Sequence, residues 1–239
     1  MPILEKAAAK LFGNYEMLSG GFMGPAIQSL TGAPYYDMMH DDYSVDGIWL
    51  KIKEVLEKNW MVTAASYVGT GSDKDENDIG IAYRHAYSVL KTHQLADGTK
   101  LIQCRNPWGS ETYYGPWSDA SQKWTASYAA EVGLEPGNDG VFWISASDYH
   151  RSFRWTSGNP DVQNEHLTYY AAFDLPSSDF HEDKFTITSQ HDQTVYISAY
   201  TYDAQHFSNG GCNAFDSNTD LRFTHDRLDD WLYPKYGGY

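Results

Sequence analysis

The spacing of apolar residues predicts two helices in the first third of the chain. Near the N-terminus apolar positions recur with a helical period, Pro2 suits a first turn and Gly13 suits a stop. Asp46 is a suitable N-cap for a second helix that is predicted to end near Lys58 and Asn59. The apolar positions are Ile3, Leu4, Ala7, Ala8, Leu11 and Phe12 in the first helix, and Ile48, Trp49, Ile52, Val55 and Leu56 in the second.

The remaining pattern predicts loops and strands. Residues 19–36 carry glycines and prolines and are predicted to form a loop, and residues 60–67 a strand. Two more strands flank a tight turn at Asp97-Gly98. The polar, acidic residues 69–80 predict a solvated loop, with an ion site as the alternative. Beyond Pro160, residues 185–188 and 194–200 alternate as half-buried strands.

Charge and composition exclude several classes of function. A net charge of −15 over 239 residues argues against nucleic acid and anionic membrane surfaces as partners, because both are bound through Lys and Arg. The sequence has no CxxC or HExxH spacing, so no zinc site is predicted, and two cysteines make no disulfide framework. We find neither a membrane-length apolar run nor a signal peptide, and therefore expect no membrane insertion and a cytoplasmic or organelle-associated intracellular location.

The predicted hairpin around Asp97-Gly98 carries the residues with the clearest chemical potential. His85 lies at the head of its first strand and Asn106 at the end of its second, so antiparallel pairing can bring them together. In a thiol protease, a His accepts the thiol proton and a third group orients the ring. An Asn oxygen can do so by accepting the ring N–H. The alternative is a structural His at a strand start.

Several motifs together resemble the second half of the calpain-type cysteine protease core. They are His-Ala-Tyr-Ser-Val at 85–89, Arg-Asn-Pro-Trp-Gly at 105–109, Gly-Pro-Trp-Ser-Asp at 115–119, the segment 139–145 and the Leu-Glu-Lys-Ala start at 4–7. The resemblance implies His85 as base and Asn106 as orienter, with Trp108 in support. It also implies the family activity, calcium-dependent cysteine-type endopeptidase.

The resemblance further implies a fold and a domain organisation. We expect an α+β fold: a papain-like His/Asn lobe over residues 1–160, with twisted antiparallel sheets and a few helices. Residues 1–32 would be a linking helix and loop from the end of the first lobe. Residues 161–239 would form a β-sandwich-like C-terminal region, too short to be the whole module.

The family nucleophile is a Cys in a Gly-rich, Trp-flanked motif upstream of the helix at which this sequence begins. Neither thiol in the sequence matches it. Cys104 lies on a predicted strand with the apolar residues Leu101 and Ile102 and is expected to be a small core residue. Cys212 follows a Gly-rich turn and is expected to be an ordinary thiol. We therefore expect the chain to supply a base and an orienter but no nucleophile.

The resemblance also implies a calcium site in this lobe. Asp119 and Asp139 match its carboxylates, but Thr112 and Val141 replace two Glu positions. Glu111 lies next door and could substitute, so we expect no cofactor, with calcium possible only at a degraded site of Asp119, Asp139 and Glu111. Arg84 also departs from the family, which normally has Gly before the catalytic His. A cation there would disfavour the imidazolium.

Two functions remain open. In the first, the chain is the His/Asn lobe of a cysteine endopeptidase that is inactive alone and active when joined to a Cys-bearing lobe. In the second, it is a pseudoprotease that serves as a structural or interaction subunit. In both, a protein partner, either the Cys lobe or an assembly subunit, is expected to cover the helix at Ile3–Phe12. An enzyme of another class finds no support in the motifs.

Overall fold

The computed structural model describes residues 2–11, 13–69 and 72–161. The described residues up to 21 belong to one compact unit and those from 22 onward to another. In the first unit, α1 spans Pro2–Leu11 and a 3₁₀ turn covers Glu16–Leu18. Glu5 in the first turn of α1 and Lys10 in the last both complement the helix dipole. The helix predicted at the N-terminus is therefore present.

The predicted loop over residues 19–36 is wrong for its central part. Met23–Thr31 form a helix, α2. Gly24 and Pro25 are among the glycines and prolines behind the loop prediction, but both lie in the first turn of α2, where the missing N–H of a proline costs nothing. The helix ends at Gly32, whose φ of +74° is the left-handed conformation of a helix C-cap.

The second predicted helix, α3, spans Val45–Glu57. The predicted N-cap, Asp46, is wrong by two positions. Ser44 caps the helix by accepting a hydrogen bond from the Gly47 N–H at 3.1 Å, whereas Asp46 lies inside the first turn and pairs with Lys100 at 2.6 Å. The buried residues of α3 are Ile48, Trp49, Ile52 and Val55, and this face packs on β2 and β3.

A six-stranded sheet, antiparallel throughout, carries the site. Its strand order is β1-β6-β2-β3-β4-β5. The strands are β1 Tyr36–Met39, β2 Met61–Ser66, β3 Ala86–Gln94, β4 Lys100–Arg105, β5 Val141–Ser145 and β6 Phe153–Asn159. Two short helices complete the described fold, α4 at Ala126–Val132 and α5 at Ala146–Ser152. The α+β class expected from the sequence is confirmed.

The β3–β4 hairpin forms as predicted. Its turn places the Gly98 N–H 2.8 Å from the Leu95 carbonyl oxygen, and Gly98 has a φ of +90°. Cys104 lies on β4 opposite Val89 of β3 and Phe142 of β5, and its side chain is fully buried. It is a small core residue, as expected.

Some predictions lie outside the described residues. These are the strands at 185–188 and 194–200, the sandwich-like C-terminal region and Cys212. In the part of the chain that is described, no helix is both long enough and apolar enough to cross a bilayer.

Candidate active site

The structure brings the imidazole of His85 and the carboxamide of Asn106 together. His85 immediately precedes β3 and Asn106 immediately follows β4, the neighbouring strand. His85 Nε2 lies 2.9 Å from Asn106 Oδ1, which is hydrogen-bond distance. The ring is half-buried and the carboxamide is fully buried, so the bond is largely protected from water.

A second hydrogen bond fixes which amide atom faces the ring. Asn106 Oδ1 also accepts the Trp108 backbone N–H at 3.1 Å. The amide nitrogen has no lone pair to offer that donor, so the flipped amide is excluded. Since Oδ1 is an acceptor, His85 must donate from Nε2, and in the neutral ring Nδ1 carries the lone pair. No described residue is hydrogen-bonded to Nδ1.

Aromatic side chains flank the imidazole. The Trp108 indole lies over the ring, with centroids 4.3 Å apart and planes tilted by 34°. Tyr87 meets the ring edge-on at 5.0 Å, and its own hydroxyl accepts the Ala82 N–H at 3.0 Å. Trp108 is 45% exposed and therefore covers the imidazole from the solvent side.

Gly140 holds the backbone of Asn106 and was not recognised as a site residue from the sequence. The Asn106 N–H donates to the Gly140 carbonyl at 2.8 Å. Gly140 has a φ of +85°, and a Cβ there would lie 2.7 Å from the Asn106 carbonyl oxygen. Only glycine permits both the conformation and the approach. The Asp-Gly pair before β5 was the available signal.

Ser66 holds the backbone of His85 and was also missed. Its hydroxyl accepts the His85 N–H at 3.0 Å and lies 3.1 Å from the His85 carbonyl oxygen. Arg84, the residue directly before His85, has a φ of +49°, a conformation that costs a residue with a Cβ about 1–2 kcal/mol. Arg84 Nε donates to the Val68 carbonyl at 3.0 Å, so its side chain extends toward the chain that leaves β2.

Cys104 does not have the environment of a nucleophile. Its fully buried position in the core raises the pKa of its thiol far above the ordinary value. Reactive cysteines are partly exposed and have a lowered pKa.

The acidic loop before His85 is anchored to α5. Asn77 Nδ2 donates to Ser152 Oγ at 3.0 Å, and Arg151 bridges Asp78 and Asp148 at 2.8 and 2.9 Å. Within the loop, Asp75 Oδ2 accepts the Ser72 N–H at 2.7 Å. These contacts give two of the loop carboxylates, Asp75 and Asp78, protein donors.

The three residues considered for calcium share one electrostatic neighbourhood. Burial, reinforced by the charges of Asp119 and Asp139, raises the pKa of Glu111 to about 7. Burial and the charge of Asp139 also raise the pKa of Asp119. Glu111 Oε1 is buried, with no hydrogen-bond partner in the described part of the chain.

These carboxylates do not form a calcium ligand set as they are placed. Residues 2–11, 13–69 and 72–161 contain no group of three His, Cys, Asp or Glu positioned to hold a metal ion. Asp119 Oδ2 accepts the Gly137 N–H at 2.7 Å and Asp139 Oδ1 accepts the Val141 N–H at 2.8 Å. Thr112 donates its hydroxyl to the Gly80 carbonyl at 2.8 Å.

Most of this chain is similar in sequence to known proteins. The sequence profile described as "Calpain family cysteine protease" matches residues 1–157. The chain is 39% identical over 160 residues to the calpain-type cysteine protease ADL1 of Oryza sativa subsp. japonica and, equally, to DEK1 of Zea mays. It is 34% identical over 157 residues to Calpain-12 of Mus musculus.

These relatives are much longer than the matched region. Each alignment covers 64% of this chain, but only 7% of the two plant proteins and 21% of the mouse protein. The chain thus spans well under two thirds of the relatives that it matches.

Proposed function

Because the chain belongs to the calpain family of cysteine proteases, we propose that it is the part of an endopeptidase core that supplies the general base and its orienting group. His85 is the base and Asn106 the orienter. The single observation that carries the proposal is the contact of His85 Nε2 with Asn106 Oδ1 at 2.9 Å.

The chemistry follows from the direction of that bond. Asn106 Oδ1 accepts a hydrogen bond from the Nε2–H, so Nδ1 has the free lone pair and takes the proton of a thiol placed within hydrogen-bond reach. The resulting imidazolium keeps its Nε2–H bond to a neutral oxygen, which orients the ring without a second full charge. Trp108 covers this bond on the solvent side, and exclusion of water strengthens it.

The nucleophile in this proposal comes from a Cys-bearing lobe and not from Cys104. A thiol without solvent access, and with a pKa raised by burial, cannot reach a peptide carbonyl or form a thiolate at neutral pH. The residues described here would therefore not hydrolyse peptides alone. They would complete an active site when a Cys lobe brings its thiol to Nδ1 of His85.

A pseudoprotease is the second candidate function, and two observations favour it. Arg84 occupies the position directly before His85 with a left-handed φ of +49°, a conformation that suits the Gly of the family far better. The replacement of two expected Glu ligands by Thr112 and Val141 points in the same direction. In this alternative the scaffold serves as an interaction subunit.

Both functions involve a protein partner at α1. Ile3 and Leu4 are 83% and 51% exposed, although both are apolar. We propose that the Cys-bearing lobe packs on this face, because burial of apolar area drives such contacts.

Peptide hydrolysis after reconstitution tests the proposal. The chain is fused to the Cys-bearing first lobe of a calpain relative and assayed on a fluorogenic peptide beside each part alone. We expect the fusion to hydrolyse the peptide and neither separate part to do so. Hydrolysis should fall about 10²–10⁴-fold in His85→Ala, the loss typical of a general base, and stay unchanged in the surface variant His93→Ala. An inactive but folded fusion would favour the pseudoprotease. Activity of the isolated chain that His85→Ala abolishes would contradict the proposal.

A further inference from the structure

Ser66 makes an unusual set of bonds to one residue of the site. Its backbone N–H donates to the His85 carbonyl at 3.0 Å, and its hydroxyl accepts the His85 N–H, also at 3.0 Å. The same hydroxyl lies 3.1 Å from the His85 carbonyl oxygen and can donate to it. A serine hydroxyl can accept and donate at once, so one side chain binds both backbone polar groups of His85.

The strand ladder does not hold His85 by itself. Pairing between β2 and β3 ends at Ala65 and Ala86, one residue short of Ser66 and His85. In a regular antiparallel pair the His85 N–H would bond to the Ser66 carbonyl, but here the Ser66 side chain replaces that carbonyl. A bulge in the pairing of β2 with β6, between Ala65 and Ser66, accompanies the change.

The backbone before His85 also works against regular pairing. Arg84 is left-handed, so the chain turns sharply just before the ring-bearing residue. Such a conformation persists only where its surroundings hold it in place. The Arg84 N–H bonds to the Tyr67 carbonyl at 3.0 Å, and Ser66 supplies the next contact along the chain.

We propose that Ser66 is a positioning residue for His85. Its hydroxyl holds the His85 backbone where the ring donates from Nε2 to Asn106 Oδ1 and Nδ1 stays free. Ser66 itself is 3% exposed and does not contact the reacting atoms. The inference rests on the proposed role of His85. However, its test follows the ring and not proteolysis, so an inactive fusion and a failure of this inference give different results.

The experiment measures exchange of the His85 Nε2 proton with water, by NMR of the ¹⁵N-labelled full chain. The signal is assigned by its loss in His85→Gln. In Ser66→Ala we expect exchange to accelerate about fivefold to tenfold, the factor that matches one lost hydrogen bond of ordinary strength. Ser66→Thr keeps a hydroxyl and should stay within about twofold of wild type, while its isostere Ser66→Val should behave like Ser66→Ala.

Ser157→Ala is the matched control. Ser157 is a fully buried serine of β6 whose hydroxyl bonds to Asp37 of β1, so its loss should loosen the sheet without touching His85. Exchange in this variant should stay within about twofold of wild type. The inference is overturned by unchanged exchange in Ser66→Ala, by equal acceleration in Ser157→Ala, or by no protected Nε2 proton in wild type. If Ser66→Ala does not fold, the comparison of Ser66→Thr with Ser66→Val tests the inference, and equal exchange rates in these two variants overturn it.

Discussion

Gly140 lies directly against the backbone of Asn106. The Asn106 N–H donates to the Gly140 carbonyl at 2.8 Å, and a Cβ at position 140 would meet the Asn106 carbonyl oxygen at 2.7 Å. Gly140 thus places the carboxamide that orients His85 without using a side chain. The contact links the start of β5 to the end of β4.

Gly140→Ala is expected to lower the free energy of unfolding by more than about 2 kcal/mol. Its left-handed φ costs about 1 kcal/mol with a Cβ, and the clash with Asn106 adds to this. Chemical denaturation measures the loss. Gly98→Ala separates the two causes, because Gly98 has a φ of +90° but no atom within 4 Å of the added Cβ. Equal losses in both variants would show that the approach to Asn106 is not tight.

Asn106→Ala is expected to lower the free energy of unfolding by about 1–3 kcal/mol, since it leaves the Trp108 N–H and His85 Nε2 without their shared acceptor. Urea titration followed by tryptophan fluorescence measures this. Asn138→Ala is the control, because exposed Asn138 accepts a single bond, from the Glu111 N–H at 2.8 Å. A larger loss in the Asn138 variant would contradict the assignment of Oδ1 as a shared acceptor.

Acid should destabilise the chain through His40. Burial is the main cause that lowers its pKa from 6.5 to about 4, and the charge of His150 adds to this while that of Asp41 opposes it. The unfolded chain therefore binds this proton more tightly. Stability present above pH 6.5 is lost as pH falls toward 4, by up to about 3 kcal/mol.

The check is the slope of unfolding free energy against pH between 6.5 and 4. His40→Gln should remove the loss of stability toward pH 4 and leave only the smaller, opposite slope of Glu111, whereas His93→Gln, on the surface beside Glu131, should keep the wild-type slope. A loss of stability toward pH 4 that survives in His40→Gln would contradict the assignment to His40.

The sequence predicted the parts of the site that depend on local order. His85 and Asn106 were found because each adjoins a strand of one hairpin, and the Asp97-Gly98 turn fixes how those strands pair. Cys104 was placed in the core because it shares a predicted strand with apolar Leu101 and Ile102, and a free cysteine packs as a small hydrophobe. Both inferences rest on one hairpin whose turn is marked in the sequence by Asp97-Gly98.

The rest depends on contacts that local order does not encode. Ser66 lies 19 residues before His85 and reaches it only because β2 stops pairing with β3 at Ala65. Gly24 and Pro25 suggested a loop because their position in a first helical turn is invisible without the helix boundary. Asp46 and Ser44 are both good N-cap residues, and the helix begins at Val45, which makes Ser44 the cap.

Glu111→Gln is expected to stabilise the chain at pH 8. The folded-state pKa of Glu111 is raised from 4.5 to about 7, first by burial and then by Asp119 and Asp139. The part of the free energy of unfolding that depends on a protonated Glu111 is thus present below pH 4.5 and is lost as pH rises through 7. We expect a gain of about 1 kcal/mol in Glu111→Gln at pH 8, after allowance for solvent screening, and little gain at pH 5.

Glu135→Gln, an exposed control, should change the free energy of unfolding at neither pH. Destabilisation of Glu111→Gln at pH 8 would count against this account.

Calcium should have little effect on the free energy of unfolding of this chain. The three carboxylates do not form a ligand set, so we expect 1 mM calcium and EDTA to give unfolding free energies within about 0.5 kcal/mol. Thermal or urea unfolding of the wild type in both buffers measures this. A calcium-dependent gain above about 2 kcal/mol that Asp119→Asn removes would show a functional site.

The protonation state of the His85 ring tests the central claim most directly. ¹⁵N NMR of the neutral ring distinguishes a protonated from an unprotonated nitrogen at each position. We predict a proton on Nε2, donated to Asn106 Oδ1, and a free lone pair on Nδ1, with this preference lost in Asn106→Ala. A proton on Nδ1, or an even mixture of the two tautomers in the wild type, would contradict the assignment of His85 as a base oriented by Asn106.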